Sequence, residues 1–225
     1  PYTCRTFPRF INDFGGTEEM GVSFSCPVAS DMMFNLKEKM TFTDEANDRL
    51  PELNEIDAQT YFYLVKARKK AYEIVQNRDK RISDRLKELL EYGKEIQKDL
   101  EEYKEGDDDI DFFEVFNNPE VINQQWVEKV KNKKEKPIEN EIFNEQIAMY
   151  LFKYFLTAVY DYDVLSKIKM AIVGVLIVTY FGEESWVIHL WSKETEHSQY
   201  NMDRYKKLLK EANCLSCEEL EKRLY

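Results

Sequence analysis

Glycine and proline are scarce in this chain, with seven and six among 225 residues. An all-β fold needs frequent turns, so that scarcity disfavours one. Clustered positive charge is also missing. The formal net charge is −11, which argues against grip on a phosphate backbone and so against a nucleic-acid partner. The main basic run, Lys129–Lys136, is broken by Glu135, preceded by Glu128, and reads as a solvated face. Four cysteines in a chain of this size do not make a small secreted disulfide scaffold. No signal peptide is visible. The longest apolar run, Met170–Phe181, is too short to span a bilayer and follows Lys167 and Lys169. It reads as a buried central helix of a cytoplasmic protein with no membrane partner. Several motifs that announce chemistry are absent: the Gly-rich phosphate loop, the GxSxG elbow and the HExxH metal pair. There is also no strand-then-glycine pattern of the sort that binds S-adenosylmethionine in doubly wound sheets.

What is present suffices for a real core, since 43% of the residues are hydrophobic. The first thirty residues carry the densest signal. Phe10, Asn12 and Phe14 share one side-chain parity before the Gly15-Gly16 pair, and Met20, Val22, Phe24 and Cys26 share one after it. Period-two spacing on both sides of a glycine pair predicts a β-hairpin. If it closes near Gly15 and Gly16, the residue facing Cys4 falls at or just after position 26. Cys4 and Cys26 then meet at the open end, as half of a metal or cluster site, as a disulfide, or as two small buried residues.

The rest is helical. Pro27 suits a first helical turn, and a helix is predicted over Val28–Lys39 with Val28, Met32, Met33 and Leu36 as its apolar stripe. Residues 41–56 read as an acidic loop, after which Asp57 caps a helix with the stripe Tyr61, Leu64, Val65, Tyr72 and Val75. Ser83 opens an amphipathic helix to about Glu105, with Leu86, Leu89, Leu90, Ile96 and Leu100 inward. Residues 106–111 form an acidic loop that lacks the calcium-loop glycine and glutamate, so it is read as solvated. Further helices are predicted from Asn118-Pro119 to Lys131, over Glu139–Tyr160, Val164–Gly182, Glu184–Tyr200 and Asp203–Ala212. A capping box at Ser216–Glu219 opens the last one. The aromatics of Glu139–Tyr160 read as core rather than as a cofactor box. The predicted fold class is mainly α: a multi-helix bundle with a short N-terminal β-hairpin. Residues 1–40 form a hairpin plus helix, and residues 41–225 a helical domain. The chain has no initiator Met and starts at once on the hairpin motif, so it reads as the C-terminal part of a longer protein.

Two more constellations carry chemistry. Cys214 and Cys217 form a C-x-x-C pair, but it overlaps the capping box and reads as a helix connector. His189, Lys193 and Glu196–His197 fall near one helical face. An imidazole, an amine and a carboxylate together could position a substrate amine and accept its proton, because histidine titrates near neutrality. The plain alternative is a helix surface with ordinary salt bridges.

These residues resemble the flagellin lysine N-methylase family. The likeness rests on YTCRTFPRF at Tyr2–Phe10, the hairpin, and SFSCPVA at Ser23–Ala29. It is supported by Arg81–Leu90, similar to that family's arginine-leucine helix, and by Ser192–Ser198, similar to its SR-x-(I)-EHS element. The resemblance implies a methyltransferase that modifies flagellin lysines in the cytoplasm before export, with S-adenosylmethionine as donor and an iron–sulfur cluster held by cysteines. It makes Cys4 and Cys26 metal ligands and residues 1–40 the remnant of a cysteine-rich cluster-binding region. It also makes Arg5, Arg9, Lys193 and Ser198 substrate-binding residues. His197 is the candidate base, with Glu196 orienting it. Lys193 stands where arginine is expected, and the upstream cysteines are missing. The alternatives are a non-catalytic helical protein-interaction module and an iron–sulfur redox protein.

Overall fold

The computed structural model describes residues 7–46 and 56–225. Cys4 and Arg5, on which much of the resemblance rests, lie outside the described residues. The architecture is helical with one two-stranded antiparallel sheet, as the sequence predicts.

Strands β1 (Arg9–Asp13) and β2 (Glu18–Val22) pair from Arg9↔Val22 through Ile11↔Met20 to Asp13↔Glu18. The turn uses Gly15 and Gly16, both at positive φ, where a side chain would be strained. Asp13 Oδ1 accepts from the Gly15 amide at 2.9 Å. Phe10, Asn12 and the buried Phe14 face inward as predicted. The second strand is reversed relative to expectation. The register sets Glu19 and Gly21 opposite the inward residues, so Met20 and Val22 face solvent. Gly21 is needed there because the Phe10 ring lies over its Cα, leaving no room for a Cβ. Alternation is regained only beyond the strand, where Phe24 is buried.

Helix α1 (Pro27–Asn35) starts at the predicted proline and packs on later helices. Its predicted stripe is wrong at two places. Val28 and Met32 are exposed, and Ser30, Met33 and Phe34 face the body instead. Asp57 caps α2 (Ala58–Val75) by accepting from the amides of Gln59 and Thr60. Helix α3 (Ile82–Leu100) is one residue longer at its start and shorter at its end than the pattern suggests, with Ser83 buried in its first turn. Helix α4 (Gln124–Lys131) begins at an Asn123 cap rather than at Asn118-Pro119.

The segment expected as one helix over Glu139–Tyr160 is three pieces. Helix α5 (Glu141–Leu151) runs into a 3₁₀ stretch, Phe152–Thr157, and then a single turn, α6 (Ala158–Asp161). The Thr157 hydroxyl donates to the Tyr154 carbonyl three residues back, at 2.6 Å, which favours the tighter winding. Helix α7 (Val164–Phe181) is buried along its whole length. Its mean hydropathy of 1.9 over eighteen residues would suit a membrane span, yet every residue of that window is covered by the other helices. Helices α3 and α5 pack against it. Gly174 admits the Leu151 side chain of α5 so closely that a Cβ would lie 2.2 Å from its Cδ1.

Helix α8 (Ser185–Glu196) and helix α9 (Gln199–Glu211) replace the predicted helices Glu184–Tyr200 and Asp203–Ala212. The break is chemical. Ser198 accepts from the Asn201 amide as an N-cap, so its side chain competes with continuation of α8 and starts α9. A last helix, α10 (Cys217–Arg223), begins where Ser216 accepts from the Glu219 amide, as the capping pattern predicts. The acidic loop is not simply solvated. Gly106 and Asp108 donate their amides to the carbonyls of Lys210 and Glu211, and Asp108 bridges Ala212.

Candidate functional site

A cavity of about 260 Å³ opens where the hairpin meets the helices. Its lining comes from sequence positions far apart: Pro8, Arg9 and Asn12 around β1, Ser23 and Ser25 after β2, Lys153 and Tyr154 from the 3₁₀ stretch, and Glu196 and His197 at the end of α8. The local breaks described above build it. Tight winding after α5 brings Lys153 and Tyr154 beside Tyr150 at the helix end, and the α8–α9 junction sets Glu196 and His197 at the cavity wall.

Glu196 and Lys153 form the centre. Their charged groups lie 2.5 Å apart and both side chains are 8% exposed. Glu196 also accepts from Tyr154 at 2.7 Å, Ser192 at 2.5 Å and Tyr150 at 3.2 Å. The Lys153 ammonium donates to the Tyr150 hydroxyl at 2.6 Å. Three rings surround it, with centroids 4.1 Å away for Tyr150, 4.8 Å for Phe10 and 5.0 Å for Tyr154. Rings this close attract a cation through their negative faces. Burial pushes the Lys153 ammonium below its ordinary range, against the pull of Glu196. Burial would raise the Glu196 carboxyl, but Lys153 and the hydroxyls of Ser192 and Tyr154 outweigh it and hold it below the usual carboxylate range. Burial, reinforced by Glu196, raises both tyrosines.

The hairpin is tied to this centre. Asn12 Nδ2 donates to the Lys153 carbonyl at 2.9 Å. Phe24 stacks on Tyr150 at 3.6 Å between centroids. His189 then fixes Phe24 from behind, with its Nδ1 on the Phe24 carbonyl at 3.1 Å. Glu19 pairs with Arg68 of α2. Burial, aided by Lys193, holds the His189 imidazole below its ordinary range despite that carbonyl contact.

The predicted site residues are therefore divided. Arg9, Glu196 and His197 line the cavity. Lys193 and Ser198 do not. Ser198 is buried, caps α9 and donates to Glu120, which makes it a structural residue. Among the described residues, the hydrogen bonds of Glu196 go to Lys153, Tyr150, Tyr154 and Ser192, and none orients His197. The expected orienting role of Glu196 is corrected accordingly. His197 is the exposed cap of α8. Cys26 is a free cysteine preceding α1, and its expected partner Cys4 lies outside the described residues. Among the described residues no group of three or more His, Cys, Asp or Glu is placed to hold a metal ion. Among the described residues Cys26 does not by itself fit an iron–sulfur cluster, which needs several thiolate ligands.

Sequence reasoning does not find Lys153, Tyr150 and Tyr154, because their segment reads as one continuous core helix. The available signal was a lysine at i+3 and a tyrosine at i+4 from Tyr150 inside an otherwise apolar stretch. A charge there demands a buried partner. Comparison with protein-family models, with curated proteins and with solved structures returns no match.

Proposed function

We propose that this chain is that of a protein-lysine N-methyltransferase acting on flagellin in the cytoplasm, with S-adenosylmethionine as donor. The observation that supports this reading is convergence. Pro8, Arg9 and Phe10 of the first motif, Ser23 and Ser25 of the second, and Glu196 and His197 of the last all line one cavity. The outermost of these segments lie nearly 190 positions apart in sequence, and the fold brings them to one wall.

At about 260 Å³ the cavity is smaller than the roughly 300–1,000 Å³ of sites for drug-sized ligands. It suits the acceptor lysine side chain, and no residue is assigned to the donor. A lysine ammonium must lose a proton before its nitrogen can attack a methyl group. His197 is the residue assigned to take that proton, because its imidazole lines the wall and needs no rearrangement to reach solvent. Aromatic and tyrosyl walls would strip water from the amine as it enters. Arg9 is assigned to the flanking peptide.

The test is methyl transfer to flagellin by the full-length protein, prepared anaerobically and read by mass spectrometry of flagellin lysines. Transfer is expected, and a folded His197→Ala protein is expected to lose about tenfold to a hundredfold or more of it. No transfer and no donor binding would overturn the reading. Full activity in His197→Ala would remove the base assignment alone. A helical protein-interaction module is the second reading, favoured by Ile11, Met20 and Val22 standing exposed on the hairpin's outer face.

A further inference from the structure

We propose that Lys153 is a reactive amine that forms an imine with small carbonyl compounds bearing an anionic group, bound in the cavity between the hairpin and α8. Four observations meet at its Nζ atom. The lysine lines the cavity. A carboxylate, Glu196, lies 2.5 Å away to receive its proton. The Tyr150 hydroxyl lies 2.6 Å away. The Arg9 guanidinium and His197 lie on the same wall, where they can meet an anionic group. Burial favours the uncharged amine, the form that attacks.

The chemistry balances within these groups. The Lys153 ammonium passes a proton to Glu196. The free amine nitrogen attacks the carbonyl carbon, and a proton moves from nitrogen to the carbonyl oxygen, giving a carbinolamine. Glu196 returns its proton to the departing hydroxyl, which leaves as water. The product is a protonated imine paired with the restored Glu196 carboxylate, and nothing is oxidised or reduced.

Labelling is read on the chain itself, so its outcome is independent of methyl transfer to flagellin. The full chain is incubated near neutral pH with glyoxylate and cyanoborohydride, which delivers hydride to the imine carbon and leaves a stable secondary amine. Peptide mapping then locates the added group. Lys104 is the internal reference, since its side chain is 80% exposed. Lys153 is expected to label faster than Lys104 near neutral pH, because burial disfavours its charged form and the cavity holds the aldehyde beside its Nζ. Propanal, which lacks the anionic group, is expected to label Lys153 several-fold less than glyoxylate. Arg9→Gln, at an exposed strand position, should bring glyoxylate down to the propanal level. Labelling of Lys153 at or below the Lys104 rate, or equal labelling by the two aldehydes, overturns the proposal. The wild-type map decides it even if Arg9→Gln fails to fold.

Discussion

The Lys153 ammonium and the Glu196 carboxylate sit 2.5 Å apart with both side chains almost wholly covered. A pair removed from water in this way is costly to break from one side, because the surviving charge keeps its desolvation penalty without its partner. Glu196→Gln is expected to destabilise the chain by about 3 kcal/mol, read by urea unfolding. Lys153→Met should cost a similar amount. The double variant Lys153→Met/Glu196→Gln should recover much of the loss, since no lone charge remains. Additive losses in the double variant would show that the two residues do not form a coupled pair.

Ser198 belongs to the backbone of the α8–α9 junction and not to the cavity. Its hydroxyl accepts from the Asn201 amide and donates to Glu120. Ser198→Ala should therefore lower stability by about 1 kcal/mol, the usual loss for an N-cap. If the chain transfers methyl groups, the KM for flagellin should stay unchanged. A raised KM at unchanged stability would return Ser198 to substrate binding.

The C-x-x-C pair is poised to be inert. Burial pushes the Cys214 thiol up to about 11 and the Cys217 thiol up to about 12, and Glu105 adds to the second effect. Fewer thiolates means slower alkylation. Iodoacetamide at mildly alkaline pH should modify Cys214 about a hundredfold more slowly in the folded chain than in urea. Rapid modification of either residue in the folded state would restore a redox reading of the pair.

Much of the fold was legible because local chemistry and tertiary packing agree there. Asp57, Ser216 and Pro27 each mark a helix start, and the apolar run from Val164 becomes a helix buried on every side. The hairpin turn was legible from Gly15 and Gly16, but the face of its second strand was not. Pairing register is set across the ladder, and Glu19 turns inward because Arg68, remote in sequence, receives it. Within the site, Arg9, Glu196 and His197 were visible as motif members. Lys153 was not, since its partners come from β1, α5 and α8, and no single-segment pattern reports three approaching elements. The continuous helices expected over Glu139–Tyr160 and Glu184–Tyr200 failed for a related reason. A hydroxyl bonding to nearby backbone marks those breaks, Thr157 donating back to the Tyr154 carbonyl and Ser198 accepting from the Asn201 amide ahead of it, and such bonds carry little signal in a periodicity count.

Gly106 holds the acidic loop against the end of α9. Its amide donates to the Lys210 carbonyl at 2.9 Å, and a Cβ at this position would lie 2.5 Å from the Glu211 carbonyl oxygen. That neighbour is backbone and cannot swing aside. Gly106→Ala is expected to cost about 1–3 kcal/mol by overpacking and to speed hydrogen exchange at the amides of Asp108 and Asn213, which bond across the same contact. Unchanged exchange at both amides would show that the loop is held elsewhere.

A second ion pair, covered at its lysine and partly open to solvent at its glutamate, is expected to make stability depend on acid pH. Lys169, fully covered in α7, donates to Glu105 at 2.9 Å, and Glu105 also accepts from the Cys217 amide at 2.9 Å. Burial would raise the Glu105 carboxyl, but Lys169 and the Cys217 amide together hold it below the usual carboxylate range. Its folded value is thus lower than its unfolded one, so its stabilisation is complete above the ordinary value of 4.5 and fades as the pH falls through the folded value. Glu105→Gln should leave Lys169 without a counter-charge and cost about 3 kcal/mol near neutrality. The gap between wild type and Glu105→Gln should narrow as the pH drops below about 4.5, because protonation then does to the wild type what the substitution has already done. Urea unfolding across this range measures the gap directly. A gap that stays constant from neutral to acid pH would mean that Glu105 is not ionised in the folded chain and that Lys169 is balanced by another group.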